Sequence, residues 1–336
     1  MNSEHRILVV RFSSIGDIVL ATSPLRTIRK SYPESHITFL TLSSFSSILD
    51  YHPDVDAVIA LRKTPSIPYH WRFSKLIREK SFDLIFDLHN SLRSRLILAN
   101  HNGQIETLKK PRWNRFLLFQ FHLNYFEDDF SVPLMYHQNL GTIWSQGDPV
   151  PKTFLKISKQ EAKWADSILK DNSIKGSYVV IVPGAAWEQK QWPIDKYTKL
   201  CKRIKNDFNL DTVVIGTKKD RICFEIAERV PEVVNLAAKT SIRESMSLIN
   251  GAARVVGSDT GLTHAAEALG TKVTMILGPT SRETGATTIL DDSVCVESEK
   301  TWCRPCSQNG SSACYRSSQF CMDSIKTEEV HNTFVD

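Results

Sequence analysis

Short apolar runs, each closed by turn residues and followed by a stretch with helical spacing, recur along most of the chain. RILVVRF (Arg6 to Phe12) is a β-branched run that ends at the turn-prone SSIGD (Ser13 to Asp17). Apolar residues then recur at Ile18, Val19, Leu25 and Ile28 as far as Pro33, which predicts one helix, and HITFLT (His36 to Thr41) predicts the next strand. FDLIFDLHNSLRSRLILAN, from Phe82, reads as strand, turn and helix. Between Asn100 and Tyr136 the rhythm is lost, aromatics interleave with Arg, Lys and His, and variable loops with one or two helices are expected.

After the linker-like GDPVP (Gly147 to Pro151) the rhythm resumes. A helix from Glu161 leads to a strand at SYVVIVPG (from Ser177), a helix from Pro193 to about Phe208, a strand at TVVIG (from Thr212), and a helix from Asp220. A short VVNLAA strand (from Val233) and a helix from Ser241 follow. ARVVGSDTGLTHAAEALG (Ala253 to Gly270) and TKVTMIL (Thr271 to Leu277) then form a further βαβ unit. The expected fold is α/β, with two doubly wound domains, residues 1–152 and 153–336, facing a central cleft. Open parallel sheets bind ligands beyond the carboxyl ends of their strands, so each loop after a strand is a candidate site.

Composition changes this picture little. Hydrophobic residues make up 41% and charged residues 24% of the 336 positions, values of a water-soluble globular protein. No run approaches the ~20 apolar residues of a spanning helix, and the chain enters a strand without a signal peptide, so a cytoplasmic location is expected. The net charge of +5 is too mild to indicate nucleic-acid binding. Twelve Arg and Lys residues between Arg62 and Arg115 nevertheless concentrate in about one sixth of the chain. They read either as solvated helix faces or as a surface for an anionic substrate or the anionic inner face of a membrane.

The segment SDTG carries the sharpest chemistry. A strand that delivers a helix N-terminus presents unpaired backbone N–H groups and partial positive charge, which is an anion site. Asp259 or Thr260 can cap that helix, and Gly261 lets a ligand approach the backbone. His264, one turn further on, either donates to a phosphate or holds the loop. In PGAAWEQKQWP (Pro183 to Pro193), Lys190 can reach a pyrophosphate on that terminus, the plainer alternative being a solvated lysine. Asp220, in GTKKD, can take the two hydroxyls of a ribose or simply cap its helix. Asp17 places a carboxylate on the first turn after the N-terminal strand, where a capping role is the alternative to catalysis. Cys303, Cys306, Cys314 and Cys321 match a zinc module only in part, since the second pair is spaced C-x6-C, and reduced thiols are the competing reading. Cys201, Cys223 and Cys295 fall in apolar elements and read as core.

Taken together and in order, SSIGD with Pro24, DLHNSLRS, PGAAWEQKQWP, GTKKD, SDTGLTH, LGPTSRE and the cysteine tail ending in CM resemble the lipopolysaccharide heptosyltransferases of glycosyltransferase family 9. The resemblance spans essentially the whole chain. It implies a GT-B architecture of two Rossmann-like domains and inverting transfer of a heptose from an ADP-activated donor to the inner core of lipopolysaccharide, on a Kdo or a heptose. By the same resemblance Asp17 is the general base and Lys190 contacts the donor phosphates. Asp220 binds the ribose, the loop at Thr240 receives adenine, and Asp259, Thr260, Gly261 and His264 bind phosphate. No cofactor is implied, the use of Mg2+ is left open, and peripheral association with the inner membrane is compatible.

Two other readings compete. A related transferase could act on a protein or another surface glycan, and a non-catalytic module could keep only the nucleotide site. The second has no need of a carboxylate at Asp17. A dinucleotide-dependent dehydrogenase is disfavoured by the missing GxGxxG.

Overall fold

The structure, a computed structural model, describes residues 5–64, 66–298 and 301–335. It divides into two compact units, one comprising the chain up to Lys110 with Val132–Lys156, the other Pro111–Ser131 with Ile157 onward. Against the single expected break after residue 152, the second unit thus claims a segment from within the first half.

The first unit carries a five-stranded sheet of β1 (Arg6–Val10), β2 (His36–Leu42), β3 (Ala57–Leu61), β4 (Leu84–Asp87) and β5 (Gln104–Thr107), in the order β3-β2-β1-β4-β5. All pairs are parallel, and β1 at the centre pairs Val10 with Leu40 of β2 and with Asp87 of β4. Ile7 to Val10 are wholly buried, as expected of a strand covered on both faces. The single helix expected between Asp17 and Pro33 is two, Ile15–Leu20 and Thr22–Ser31. β3 and β5 were not expected: β5 is largely polar and shows no apolar run, whereas β3, AVIAL, is apolar throughout although only half-buried.

The second unit holds β6 (Tyr178–Val182), β7 (Asp211–Val214), β8 (Val234–Asn235), β9 (Arg254–Ser258), β10 (Val273–Leu277) and β11 (Val294–Glu297), in the order β11-β10-β9-β6-β7-β8 and parallel throughout. Counted from β6 this is the 3-2-1-4-5-6 winding of a Rossmann fold. Strand alternation divides the interior. Val179 and Ile181 face a layer containing Trp192, Tyr197 and Met322, while Tyr178, Val180 and Val182 face a layer containing Leu169, Leu248 and Ala266. The chain's C-terminal turn closes the first layer, where Trp192 donates its indole N–H to the carbonyl of Ile325 at 3.1 Å. On the other side Arg243 clasps Glu161 by two hydrogen bonds of 2.7 and 2.6 Å, tying helix Ile242–Asn250 to helix Lys159–Asp171.

In each sheet the winding reverses at one place, between β1 and β4 in the first unit and between β6 and β9 in the second. Ligands of doubly wound sheets bind beyond the strand ends at this reversal.

Candidate active site

Lys190 follows β6 and Asp259 follows β9, so both belong to the reversal point of the second sheet. Helix Gly261–Ala268 begins there with Thr260 as its N-cap, whose backbone N–H donates to Thr263 Oγ1 at 3.0 Å. Of the two residues expected to cap this helix, Thr260 takes the position and Asp259 does not. The Asp259 carboxylate instead accepts from Lys190 Nζ on Oδ2 at 2.7 Å and meets His264 Nε2 with Oδ1 at 3.0 Å. All three side chains are buried. Burial by itself would raise the Asp259 carboxyl, but the Lys190 charge and the His264 hydrogen bond hold it well below the ordinary carboxylate range. The lysine is therefore no solvated surface residue. His264 Nδ1 is buried and has no hydrogen-bond partner among the described residues.

Lys190 sits in a single 3-10 turn, Glu188–Lys190, which supplies little rigidity of its own. Its support comes from the tail. Gly310, at φ +80°, lies so close that an added Cβ would stand 2.5 Å from Lys190 Cγ and 2.8 Å from Cδ. The Gly310 N–H is held in turn by Ser307 Oγ at 3.0 Å. Arg304 fastens the base of the same loop, donating to the carbonyls of Gly278, Thr280 and Ser298 and to Glu297 Oε2. Neither Gly310 nor Arg304 was singled out from the sequence, where the cysteines draw the eye. Those cysteines are all free thiols, Cys303 and Cys321 buried, Cys306 half-buried and Cys314 exposed. Burial pushes the Cys321 thiol up to about 11 and raises that of Cys306. Among the described residues no three His, Cys, Asp or Glu are grouped to hold a metal ion. Cys201, Cys223 and Cys295 lie in the core.

Asp220 occupies the N-cap position of helix Arg221–Arg229 without capping it through its side chain. Its Oδ2 accepts from the backbone N–H and hydroxyl of Thr217 at 2.6 and 2.8 Å, turning the carboxylate back toward the strand ends. It lies against Gly184, which follows β6, where a Cβ would come within 2.4 Å of the carboxyl carbon. The glycine thus makes room for the acid beside the loop that carries Lys190. Thr240 stands in the loop after β8, its hydroxyl 2.8 Å from Ser245 Oγ.

Asp17 lies beyond β1, at the reversal point of the first sheet, in the first turn of helix Ile15–Leu20. Both its expected roles are compatible with what it touches. As the third helical residue it reciprocates its N-cap, accepting from the Ser14 N–H and hydroxyl at 2.9 Å each. Its other oxygen lies 2.7 Å from Arg11 Nη2, and its side chain keeps 36% exposure. Burial opposes ionisation of Asp17, but the Arg11 charge and the Ser14 hydrogen bonds lower its pKa. Arg11 is buried and donates also to the carbonyls of Ser13 and Leu88, at 3.0 and 2.8 Å, so it joins the loop after β1 to the end of β4. His89, on that second loop, lies tilted against Phe12, ring centroids 4.8 Å apart, and its buried Nδ1 has no hydrogen-bond partner among the described residues. Burial and then the Arg11 and Lys110 cations push its pKa down to about 3, so it is neutral. Arg11 and His89 were visible only as letters within RILVVRF and DLHNSLRS.

The model of glycosyltransferase family 9 (heptosyltransferase) matches residues 70–315. Lipopolysaccharide heptosyltransferase 2 of Salmonella typhimurium is 26% identical over 294 residues, covering 82% of this chain and 83% of its own. Lipopolysaccharide core heptosyltransferase OpsX of Haemophilus influenzae is 22% identical over 282 residues, covering 80% and 77%. Among solved structures, ADP-heptose lps heptosyltransferase II of Escherichia coli superposes with a TM-score of 0.74 at 20% identity, over 98% of this chain and 97% of that one. An E. coli heptosyltransferase solved with ADP-2-deoxy-2-fluoro heptose gives a TM-score of 0.68 at 18% identity, covering 98% of each chain. These likenesses identify the fold as GT-B, and the family match, which spans most of the sequence, makes this chain a member of glycosyltransferase family 9, the heptosyltransferases.

Proposed function

We propose that this protein transfers a heptose from an ADP-activated donor to the inner core of lipopolysaccharide, with inversion at the anomeric carbon. The observation that carries the reading is the buried Lys190–Asp259–His264 cluster at the head of helix Gly261–Ala268, in a chain of family 9. The reaction needs a sink for the charge that builds on the departing diphosphate and a proton acceptor for the attacking hydroxyl. The second unit supplies the sink: the helix terminus offers backbone N–H groups, and the Lys190 ammonium has three hydrogens of which Asp259 takes one. Asp259 and His264 hold the lysine in register. Asp220 takes the ribose hydroxyls and the Thr240 loop the adenine. In this reading no metal cofactor is required, and turnover persists in EDTA.

The first unit supplies the proton acceptor. Asp17, its pKa lowered by Arg11 and Ser14, is ionised across neutral pH and accepts a hydrogen bond from the acceptor hydroxyl. A weakly basic carboxylate takes the proton only as the oxygen bonds to the anomeric carbon and the hydroxyl acidifies, so proton transfer runs with bond formation. The test is ADP release from ADP-heptose with Kdo2–lipid A or a heptosylated core as acceptor. Acceptor-dependent release should fall at least ~10²-fold in Asp17→Asn, with ADP binding retained. Release that ignores the acceptor, or an Asp17→Asn enzyme of full activity, refutes the assignment.

A further inference from the structure

The second unit exposes a run of aromatic side chains that no part of the proposed chemistry uses. Helix Arg112–Phe121 turns Trp113, Phe116 and Phe121 outward, with Trp113 stacked on Phe116 at 5.5 Å and Phe116 edge-on to Phe121 at 5.8 Å. Tyr125 follows. The cysteine tail joins the same surface, because His122 meets the ring of Trp302 at 6.2 Å, and Arg316 lies over that ring at 5.5 Å with Tyr315 beside it in sequence. Trp113, Phe121, Tyr125, Trp302 and Tyr315 are each 60–69% exposed. Two segments nearly two hundred residues apart in sequence therefore build one exposed aromatic strip within one unit. A soluble monomer rarely presents so much contiguous apolar surface without a use for it.

Charge identifies the occupant. From Lys109 to Tyr125 the sequence has four basic residues and no acidic one, and from Thr301 to Met322 it has Arg304 and Arg316 and again no acid. Arg304 is consumed by its pair with Glu297, whereas exposed Arg112 and the Arg316 guanidinium remain at the strip. The exposed acids Glu127, Asp128 and Asp129 begin two residues past Tyr125 and set its limit. Trp and Tyr rings flanked by arginine, with no carboxylate in either segment, are the composition that partitions into the headgroup region of an anionic bilayer. No helix among the described residues is long and apolar enough to cross a membrane, so a bilayer would be met from its surface.

We infer that this strip is a bilayer-docking surface that seats the protein on anionic lipid. The inference stands on the surface itself, and a lipid-linked acceptor is where it would serve. The experiment is flotation of the full chain with vesicles of phosphatidylglycerol and phosphatidylethanolamine, against vesicles of phosphatidylcholine alone. Wild type should float with the anionic vesicles, and Trp113→Ser combined with Phe121→Ser should lower the partition coefficient about tenfold or more. Trp302→Ser, on the other segment, should lower it as well, and Arg112→Glu should weaken binding only to the anionic vesicles. Turnover on a delipidated core oligosaccharide should be unchanged in all of these, which separates failure of docking from failure of the transferase reading. Equal flotation of wild type and the aromatic variants overturns the inference, as does absence of wild-type binding. Conversion of a wild-type oligomer to monomer by the same substitutions overturns it in favour of a contact between copies of the chain.

Discussion

Replacing Gly310 with alanine should damage the enzyme through Lys190. The new Cβ would stand 2.5 Å from Lys190 Cγ and 2.8 Å from Cδ, against the 3.4–4 Å of ordinary contact, so one partner must move by about an ångström. If the lysine stays, overpacking contributes about 1–3 kcal/mol of destabilisation, and alanine at φ +80° adds about 1–2 kcal/mol. If the lysine yields, its Nζ leaves a 2.7 Å bond to a buried carboxylate, and a displacement of that size at a reacting group lowers turnover by about 10²-fold. The assay is a double-mutant cycle read by urea unfolding and by ADP release. In a Lys190→Ala background the atoms Cγ and Cδ are gone, so Gly310→Ala should there cost only the backbone share, about 1–2 kcal/mol, with no further loss of rate. Equal costs in both backgrounds would refute the claim that the tail loop positions Lys190.

Two further outcomes follow from the ion pairs. Arg11→Met removes a charge that lowers the Asp17 pKa, so the acid limb of kcat/KM should move to higher pH, and an unmoved limb would detach Arg11 from the proton acceptor. The associated stability has the sign of a depressed carboxyl: present above the unfolded carboxyl pKa and lost as pH falls through the folded one, so wild type and Arg11→Met should converge in acid. Glu161→Gln should destabilise the second unit by about 2–3 kcal/mol at pH 7. Although burial opposes it, the Arg243 and Ser158 hydrogen bonds bring the Glu161 carboxyl down to about 2, and the side chain retains one-fifth exposure. That difference should shrink between about pH 4.5 and pH 2, and urea midpoints independent of pH over that window would contradict it.

What could be read in the sequence were the features whose signal is local. The strands β1, β2, β4, β6, β7, β9 and β10 are short apolar runs, and the helix behind SDTG announces itself by a strand, a turn and a cap within ten residues. β5 and β11 escaped because polar or exposed positions interrupt them and leave no clear apolar run, whereas β3, AVIAL, carried an apolar run that was legible as it stands. Asp17 was readable as a capping residue or as a catalytic base, and its contacts accommodate both, since one oxygen serves Ser14 and the other Arg11. The direction of its pKa, however, depends on Arg11 being pinned by a carbonyl 77 residues away, which no local pattern reveals.

The tail shows the same limit from the opposite side. Four cysteines made it conspicuous, two of them buried and Cys314 exposed, while two inconspicuous residues do the positioning. Arg304 can anchor the loop because four acceptors, from the ends of β10 and β11 and from Ser298 just beyond, converge on one buried guanidinium. Gly310 can cover the lysine because it lacks a Cβ where the backbone passes over the Lys190 stem. A loop held in this way lends order to a lysine whose own segment is a single turn, and that is the economy of the arrangement. The charge proposed to bind the donor is carried by one segment and its geometry by another, so substitution of Gly310 or Arg304 should alter donor handling although neither is proposed to bind it.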